Sequence, residues 1–177
     1  MNDPDLKILG IDPGTIKTGY GMISYAMSSG KMNSLGYGRI LVKEKFALAD
    51  RYKILFTEMK EIIASFRPDT VSIETQFVKL NPQTALKLGM ARGIIILAAS
   101  LEGIPVFEYS PREAKKAVVG NGSALKNQVQ FMVSRILSLP ESLGCDQEDE
   151  ADALALAICH IHATSLSNLS KRLAKHV

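Results

Sequence analysis

The segment 7–26, KILGIDPGTIKTGYGMISYA, decides the fold. Residues 7–12, KILGID, form a short apolar run that is typical of a buried strand, and an Asp-Pro-Gly turn begins at Asp12. Residues 19–26, GYGMISYA, and residues 34–42, SLGYGRILV, are predicted as two further strands. Turns that contain glycine separate the three strands, so this part of the chain predicts an antiparallel meander.

Helices and strands alternate after the meander. From residue 46 to residue 66 the apolar side chains recur with a period of 3.6, which predicts an amphipathic helix that Pro68 ends. The remaining predicted elements are strands at 70–74 and 104–109, and helices at 81–102, 111–118, 123–138 and about 147–162. Strands joined by helices favour a parallel core with the meander at its edge. We therefore predict an α/β fold, a mixed five-stranded sheet with helices on both faces.

Length and composition predict one domain. The chain has 177 residues, of which 46% are hydrophobic, enough for a single core. We expect one domain over residues 1–177, with disorder at about 1–6 and 164–177. We expect no apolar run to reach the ~18–20 residues that span a bilayer. The N-terminal MNDPDLK lacks a signal-peptide pattern. Cys145 and Cys159 form no CxxC pair, so we expect neither disulfides nor a zinc–cysteine site. The expected compartment is the cytoplasm, without membrane association.

Charge is distributed unevenly along the chain, although the net charge is only +3. Residues 75–140 contain eight Lys or Arg against three acids, whereas residues 141–152 contain six acids and no base. A basic surface followed by an acidic cluster fits a protein that binds polyanions around a metal site. Ordinary charge scatter explains the same distribution, and from this feature alone it is the favoured explanation.

Two carboxylates lie at the ends of predicted parallel strands. Asp12 follows the first strand directly, and by itself it is explained as a turn residue. Glu74 closes the strand at 70–74, where a buried carboxylate needs a partner. Ligands of open α/β sheets bind at the carboxyl ends of strands. If the two strands are neighbours, these side chains can meet.

Two more carboxylates lie in the last predicted helix. Asp149 and Asp152 are three residues apart and share a face, although Asp149 could also be a first-turn acid that favours the helix dipole. Glu148 and Glu150 are interpreted as solvated first-turn acids. Asp152 stands among alanines, where helix capping no longer explains it.

The four acids predict a metal site. Carboxylates gathered in one pocket repel one another and take up protons unless a cation neutralises them. Mg²⁺ prefers oxygen ligands, and Mn²⁺ can substitute for it. Two such ions about 3.5–4 Å apart are a known arrangement for phosphodiester displacement. We therefore expect two Mg²⁺ ions in a site that binds phosphate.

Five segments together resemble the RuvC-type Holliday junction resolvases. The match covers roughly residues 8–162, and its ordered strings are ILGIDPGTIKTGYG, SIETQF, NPQTALKLGMARG, VFEYSPREAKKAVVGNGSALK and EDEADALALAICH. The resemblance implies an RNase H-like fold. It also implies that the metal-binding catalytic acids are Asp12, Glu74, Asp149 and Asp152.

The resemblance further implies residues that contact DNA. Phe77 corresponds to an aromatic residue near the point of strand exchange, and Lys115 and Lys126 correspond to lysines around the active site. A core phenylalanine and solvated lysines are the alternative interpretations. Lys126 is also expected to be catalytic, because a lysine near the reacting phosphate stabilises developing charge. The expected DNA surface consists of Phe77, Lys79, Arg92, Lys115, Lys116 and Lys126.

Partners and activity follow from the same resemblance. Gly89-x-x-x-Gly93 and the apolar run after it fit either packing on the sheet or a homodimer, and a two-fold symmetric four-way junction needs two matched sites. The implied enzyme nicks junction DNA symmetrically with Mg²⁺, leaves 5′-phosphate and 3′-hydroxyl ends, and works beside a RuvA–RuvB branch-migration complex. This role belongs to recombination and DNA repair.

Two other functions were weighed. An actin-like ATPase or sugar kinase needs a longer chain and a second Asp-x-Gly loop, which this sequence lacks. A junction-binding module without catalysis is the second alternative, and the complete set of four acids argues against it.

Overall fold

The central sheet has the predicted composition. We describe a computed structural model that covers residues 5–75, 81–139 and 143–174, with residues 166–174 described by their backbone alone. Its strands are β1 (Leu6–Asp12), β2 (Lys17–Ala26), β3 (Lys31–Leu41), β4 (Thr70–Glu74) and β5 (Val106–Tyr109). They form one five-stranded sheet in the order β3-β2-β1-β4-β5. The meander is antiparallel, and β1, β4 and β5 are parallel, so the mixed sheet is confirmed.

The helices of the described residues follow the predicted order. They are α1 (Leu48–Phe66), α2 (Pro82–Leu101), α3 (Pro111–Val119), α4 (Lys126–Ile136) and α5 (Glu148–Ala174). The prediction that the last helix ends near residue 162 was wrong, because α5 continues to Ala174. The expected disorder at about 1–6 and 164–177 stays a prediction. Ser165 explains part of the extension, since its hydroxyl lies 3.4 Å from that of Tyr25 on β2 and keeps the helix against the sheet.

The two faces of the sheet are covered by different helices. Alternate residues of β1 point to opposite faces. Ile8 belongs to a core cluster with α3, α4 and α5, whereas Leu9 and Ile11 belong to a second cluster with α1 and α2. Asp12 follows Ile8 with the strand period of two, so its side chain lies on the α5 face.

Helix α5 lies very close to the sheet because strand glycines face it. A Cβ atom built on Gly10 would overlap the backbone oxygen of Ala153, and one built on Gly19 would overlap the backbone oxygen of Asp149. Side chains at these two positions would hold the helix away from the strands. The glycines therefore bring the first turns of α5 down to the level of Asp12.

Helix α2 differs from the expectation about apolar runs. By length and composition it is the one helix among residues 5–75, 81–139 and 143–174 that could cross a membrane, so the expectation that no run is long enough was wrong. Charged residues interrupt the apolar run, but the mean hydropathy of the helix is still high enough for a membrane-spanning helix. A single helix of this kind is weak support for a membrane span, and one side of α2 packs on the second core cluster through Ala91, Ile95, Ala98 and Ala99.

Candidate active site

The carboxyl ends of β1 and β4 bring two of the predicted acids together. These strands are parallel neighbours, with Ile11 paired to Ile73, so Asp12 and Glu74 both lie at the same sheet edge. A pocket of about 240 Å³ opens there. It is lined by Asp12, Glu74, Pro111, Ala114, Lys115, Lys126, Asp152 and Ala155. Acids from two strands and from α5 therefore share one pocket with two lysines.

Asp12 is the most strongly perturbed acid of the pocket. Burial, followed by the charges of Glu74, Asp152 and Asp149, raises its pKa from 3.8 to about 8 against an opposing effect of Lys126. The negative charges of the neighbouring acids disfavour the ionised carboxylate of Asp12, and the positive charge of Lys126 favours it. Asp12 thus lies where negative charge accumulates and where a cation would be bound most strongly.

Glu74 and Asp152 are perturbed in the same direction. Burial and then the charge of Asp152 raise the pKa of Glu74 to about 7, while Lys115 lowers it. Burial also raises the pKa of Asp152, and Lys126 and Lys115 act in the opposite direction. Such clustering of shifted pKa values around charged partners is typical of functional sites.

Lys126 stands at the rim of the pocket. It is the first residue of α4, three residues after the predicted start of that helix, and its Nζ donates a hydrogen bond of 2.5 Å to Oε2 of Glu148 on α5. This hydrogen bond, followed by the charges of Glu148, Asp152 and Asp149, raises the pKa of Lys126. The lysine therefore remains a cation beside the acids, and Glu148 links α4 to the first turn of α5.

The donor set fits a hard divalent cation in its chemistry but not yet in its arrangement. Carboxylate oxygens with raised pKa values are the ligands that such a cation prefers and stabilises in ionised form. Among the described residues, however, no group of three or more His, Cys, Asp or Glu side chains is placed to hold a metal ion. Binding would therefore require the carboxylates that share the pocket to converge further.

The structure places the other predicted residues in different surroundings. Asp149 does not line the pocket, although its charge acts on Asp12. Phe77 and Lys79 lie outside the described residues. Arg92 forms an ion pair with Glu108 on β5, and exposed Lys116 lines a separate groove with Tyr109 and Glu113, among others. Of the predicted basic DNA contacts that the structure describes, Lys115 and Lys126 border the acidic pocket.

The interpretation of Glu150 was wrong. Its side chain is buried, with 4% of the residue exposed, rather than solvated. Its Oε1 lies 3.1 Å from Nε of Arg39 on β3, and Nη1 of Arg39 donates a 2.7 Å hydrogen bond to the backbone oxygen of Asp146. Sequence reasoning missed Arg39, and the available signal was a basic residue near the end of a strand of mixed polarity, which is weak.

Comparisons with known proteins show the family of the chain. The family model described as "Crossover junction endodeoxyribonuclease RuvC" matches residues 8–160. The chain is 50% identical over 166 residues to the RuvC protein of Chlamydia trachomatis serovar L2, covering 94% of this chain and 97% of the relative. The Thermus thermophilus RuvC structure matches with a TM-score of 0.79 at 31% identity, covering 90% of this chain and 96% of that one. A second T. thermophilus RuvC structure, in complex with a Holliday junction substrate, matches with a TM-score of 0.79 at 29% identity and the same coverage. The chain therefore belongs to the RuvC family of crossover junction endodeoxyribonucleases.

Proposed function

We infer that the protein is a structure-selective endodeoxyribonuclease that resolves Holliday junctions, and we propose that it uses the acidic pocket as its active site. The observation that carries the proposal is the meeting of Asp12, Glu74 and Asp152, from β1, β4 and α5, in one pocket with two lysines. Membership of the RuvC family supports the same activity. A binding module without catalysis would have no need for acids held at raised pKa values, which cost folding free energy.

Four acids of the chain would hold the metal in this proposal. Asp12 and Glu74 supply ligands from the sheet, and Asp149 and Asp152 supply them from α5. Two Mg²⁺ ions, for which Mn²⁺ can substitute, would activate a water molecule and stabilise the leaving oxygen when bound there. The acids must be ionised to bind, so occupation of the site and proton release are coupled.

The two lysines of the pocket act on the phosphate. Lys126 has a raised pKa and therefore carries positive charge where negative charge develops during the displacement. Lys115 faces the same pocket and is placed to orient the phosphodiester. Bond formation between the attacking oxygen and phosphorus accompanies cleavage of the bond to the 3′ oxygen, which leaves 3′-hydroxyl and 5′-phosphate ends.

We expect cleavage to require a divalent cation. A labelled synthetic four-way junction incubated with the protein should receive paired symmetric nicks with Mg²⁺ or Mn²⁺ and none in excess EDTA. Denaturing gels locate the nicks, and sealing by DNA ligase tests for the 5′-phosphate and 3′-hydroxyl. A duplex of the same sequence is the control for structure selectivity. Junction binding without cutting in either metal would show that the chain is only a binding module.

The exposed face of α2 supports a homodimer. Leu86, Met90, Leu97 and Leu101 recur at helical spacing and are exposed in the single chain. Between them, a Cβ atom built on Gly89 or Gly93 would meet nothing within 4 Å, so another helix can approach closely. The occupant that we propose is α2 of a second copy, because two nicks related by the two-fold axis of a junction need two sites related by the same axis.

Leu97→Glu should separate the two protomers. Burial of a carboxylate in the apolar interface is expected to weaken the dimer about 100-fold and to convert paired nicks into single, uncoupled nicks. Light scattering coupled to size exclusion measures the mass, and a cruciform plasmid distinguishes single from paired nicks. Leu41→Glu is the matched control, because Leu41 is also exposed but lies on β3. A Leu97→Glu variant that stays dimeric would remove this surface from the interface.

The remaining contacts belong to the same proposal. Phe77 and Lys79, beyond the end of β4, are expected to reach the centre of the junction, and Lys116 to contact one of its arms. The ion pair of Arg92 with Glu108 makes Arg92 a weaker candidate for a DNA contact. We further propose that the enzyme acts in the cytoplasm beside a RuvA–RuvB complex that moves the junction.

A further inference from the structure

Arg39 makes two contacts with the start of α5. Its Nε pairs with the buried Oε1 of Glu150 at 3.1 Å, and its Nη1 binds the backbone oxygen of Asp146 at 2.7 Å. The other oxygen, Oε2 of Glu150, is buried and has no hydrogen-bond partner among the described residues. The guanidinium of Arg39 therefore contacts Asp146, which precedes the first turn of α5, and Glu150, which lies within that turn.

The position of Arg39 in the sheet relates it to the active site. Asp12 on β1 is paired with Gly19 on β2, and Gly19 is paired with Arg39 on β3. Residues in one such row point to the same face of the sheet. The first turn of α5 crosses this row, with Asp149 directly over Gly19. Arg39 thus holds the far side of the helical turn whose near side carries the acids that act on Asp12.

The first turn of α5 interlocks little with the strand beneath it. Gly19 presents no side chain to Asp149, and Gly10 presents none to Ala153, whereas larger side chains such as Leu154, which packs against Gly21, lie further along the helix. Shallow packing at the first turn contributes little to the direction of its side chains. The planar guanidinium of Arg39, which binds two partners at the start of α5, fixes the direction of that turn.

Stability alone does not account for the pair. Removing two charges from water offsets most of their attraction, so a buried ion pair with an unsatisfied oxygen is a poor source of stability. Its better attested use is to select one arrangement among several. The arrangement selected here is the one that brings Asp152 into the pocket of Asp12 and the charge of Asp149 within reach of Asp12.

We propose that Arg39 is a positioning residue for junction cleavage. By binding Glu150 and the Asp146 carbonyl, it fixes the rotation of the first turn of α5 and so the direction of Asp149 and Asp152. This inference rests on the proposed function, because it assumes that these acids form the catalytic site. Arg39 itself touches neither DNA nor metal in this role.

The test separates stability from positioning. In Arg39→Met/Glu150→Leu, apolar side chains replace both charges, so folding is retained, but the contact with the Asp146 carbonyl is lost. We expect single-turnover cleavage to fall about 10–100-fold, the loss typical of residues that orient metal ligands. Junction binding in EDTA should be unchanged, and the rise in melting temperature on adding Mn²⁺ without DNA should be smaller. Arg39→Lys keeps the charge beside Glu150 but cannot make both contacts, so it should cleave at an intermediate rate.

Two controls decide among the outcomes. Lys60→Met/Glu102→Leu removes an exposed ion pair between α1 and the end of α2 and should cleave like the wild type. Wild-type cleavage and an unchanged Mn²⁺ response in the Arg39→Met/Glu150→Leu variant would overturn the proposal. If that variant does not fold, wild-type cleavage by Arg39→Lys would overturn it instead. Undiminished cleavage by Asp12→Asn would show that the proposed active site has failed, whatever Arg39 does.

Discussion

Asp12→Asn is expected to lower the rate of junction cleavage by at least about 10³-fold, equal to a barrier increase of ~4 kcal/mol. Asp12 ends β1 at the centre of the acidic pocket, where the charges of Glu74, Asp152 and Asp149 all act on it. An amide keeps the shape of the side chain but loses the negative charge that a divalent cation requires. Junction binding should persist, because it depends on basic residues around the pocket rather than on Asp12.

The same substitution should stabilise the metal-free protein. The pKa of Asp12 is about 8 in the folded chain against an ordinary 3.8, so between these pH values the unfolded chain loses its proton first. Folding is therefore progressively disfavoured as the pH rises from about 4 to about 8, and the full cost remains above pH 8. Asparagine cannot ionise and avoids this cost. Because Asp12 is half-buried and partly screened by solvent, we expect a gain of about 1–3 kcal/mol at pH 8, or ~2–10 °C in melting temperature.

Calorimetry in EDTA at pH 5 and pH 8 measures this effect. The difference in melting temperature between Asp12→Asn and the wild type should be larger at pH 8, and Mn²⁺ should raise the melting temperature of the wild type more than that of the variant. Asp50→Asn, an exposed acid on α1 across the sheet, is the matched control. A variant that is less stable than the wild type at pH 8 would mean that Asp12 has a structural role rather than a metal-binding one.

The sheet-edge acids were predictable because strand ends are legible in the sequence. An apolar run that stops at Asp12 and another that stops at Glu74 place both side chains at carboxyl ends. The adjacency of β1 and β4 was only a condition of the prediction, because β2, β3 and α1 lie between them in the chain, and the structure supplies it. Asp152 was identified as an exception, since an acid among alanines in a buried helix needs a reason. Local pattern and a general rule about sheets were enough to select these candidates, but not to bring them together.

The position of α5 on the sheet was not predictable in the same way. Whether Glu150 faces solvent or Arg39 depends on the rotation of the helix relative to β3, and no local pattern encodes that rotation. Glu150 was assigned to solvent because acids in a first helical turn usually are exposed. Its burial instead follows from a long-range contact that only the folded chain defines.

The strand glycines were visible in the sequence, inside the predicted strands, but they were given no interpretation of their own. Gly10 and Gly19 lie inside strands, where glycine weakens the strand and often marks close approach of another backbone. What approaches them cannot be known from spacing, because α5 lies more than a hundred residues further along the chain. The fold class was therefore readable, while the depth at which α5 sits was not.

Gly10→Ala tests that depth by its effect on stability. The added methyl group would overlap the backbone oxygen of Ala153 and lie 2.9 Å from the backbone nitrogen of Ala157, so the helix must move away. Overpacking against backbone atoms is expected to lower the free energy of unfolding by about 3 kcal/mol, or ~6–12 °C in melting temperature. Gly38→Ala on β3 is the matched control, because its methyl group would meet the hydroxyl end of the Tyr20 side chain, which can rotate away.

Gly19→Ala should add a catalytic defect to the same loss of stability. Its methyl group would overlap the carbonyl of Asp149 and approach the Cβ atom of that residue. To remove this overlap, the first turn of α5 must move away from the strands and so from Asp12. A displacement of about 1 Å at a catalytic group can cost on the order of 10²-fold in rate. At a temperature where Gly10→Ala and Gly19→Ala are both folded, Gly19→Ala should therefore be the slower enzyme in single-turnover junction cleavage. Equal rates for the two variants would mean that cleavage does not depend on the close approach of Asp149 to β2. The close contact between helix and sheet would then serve packing alone.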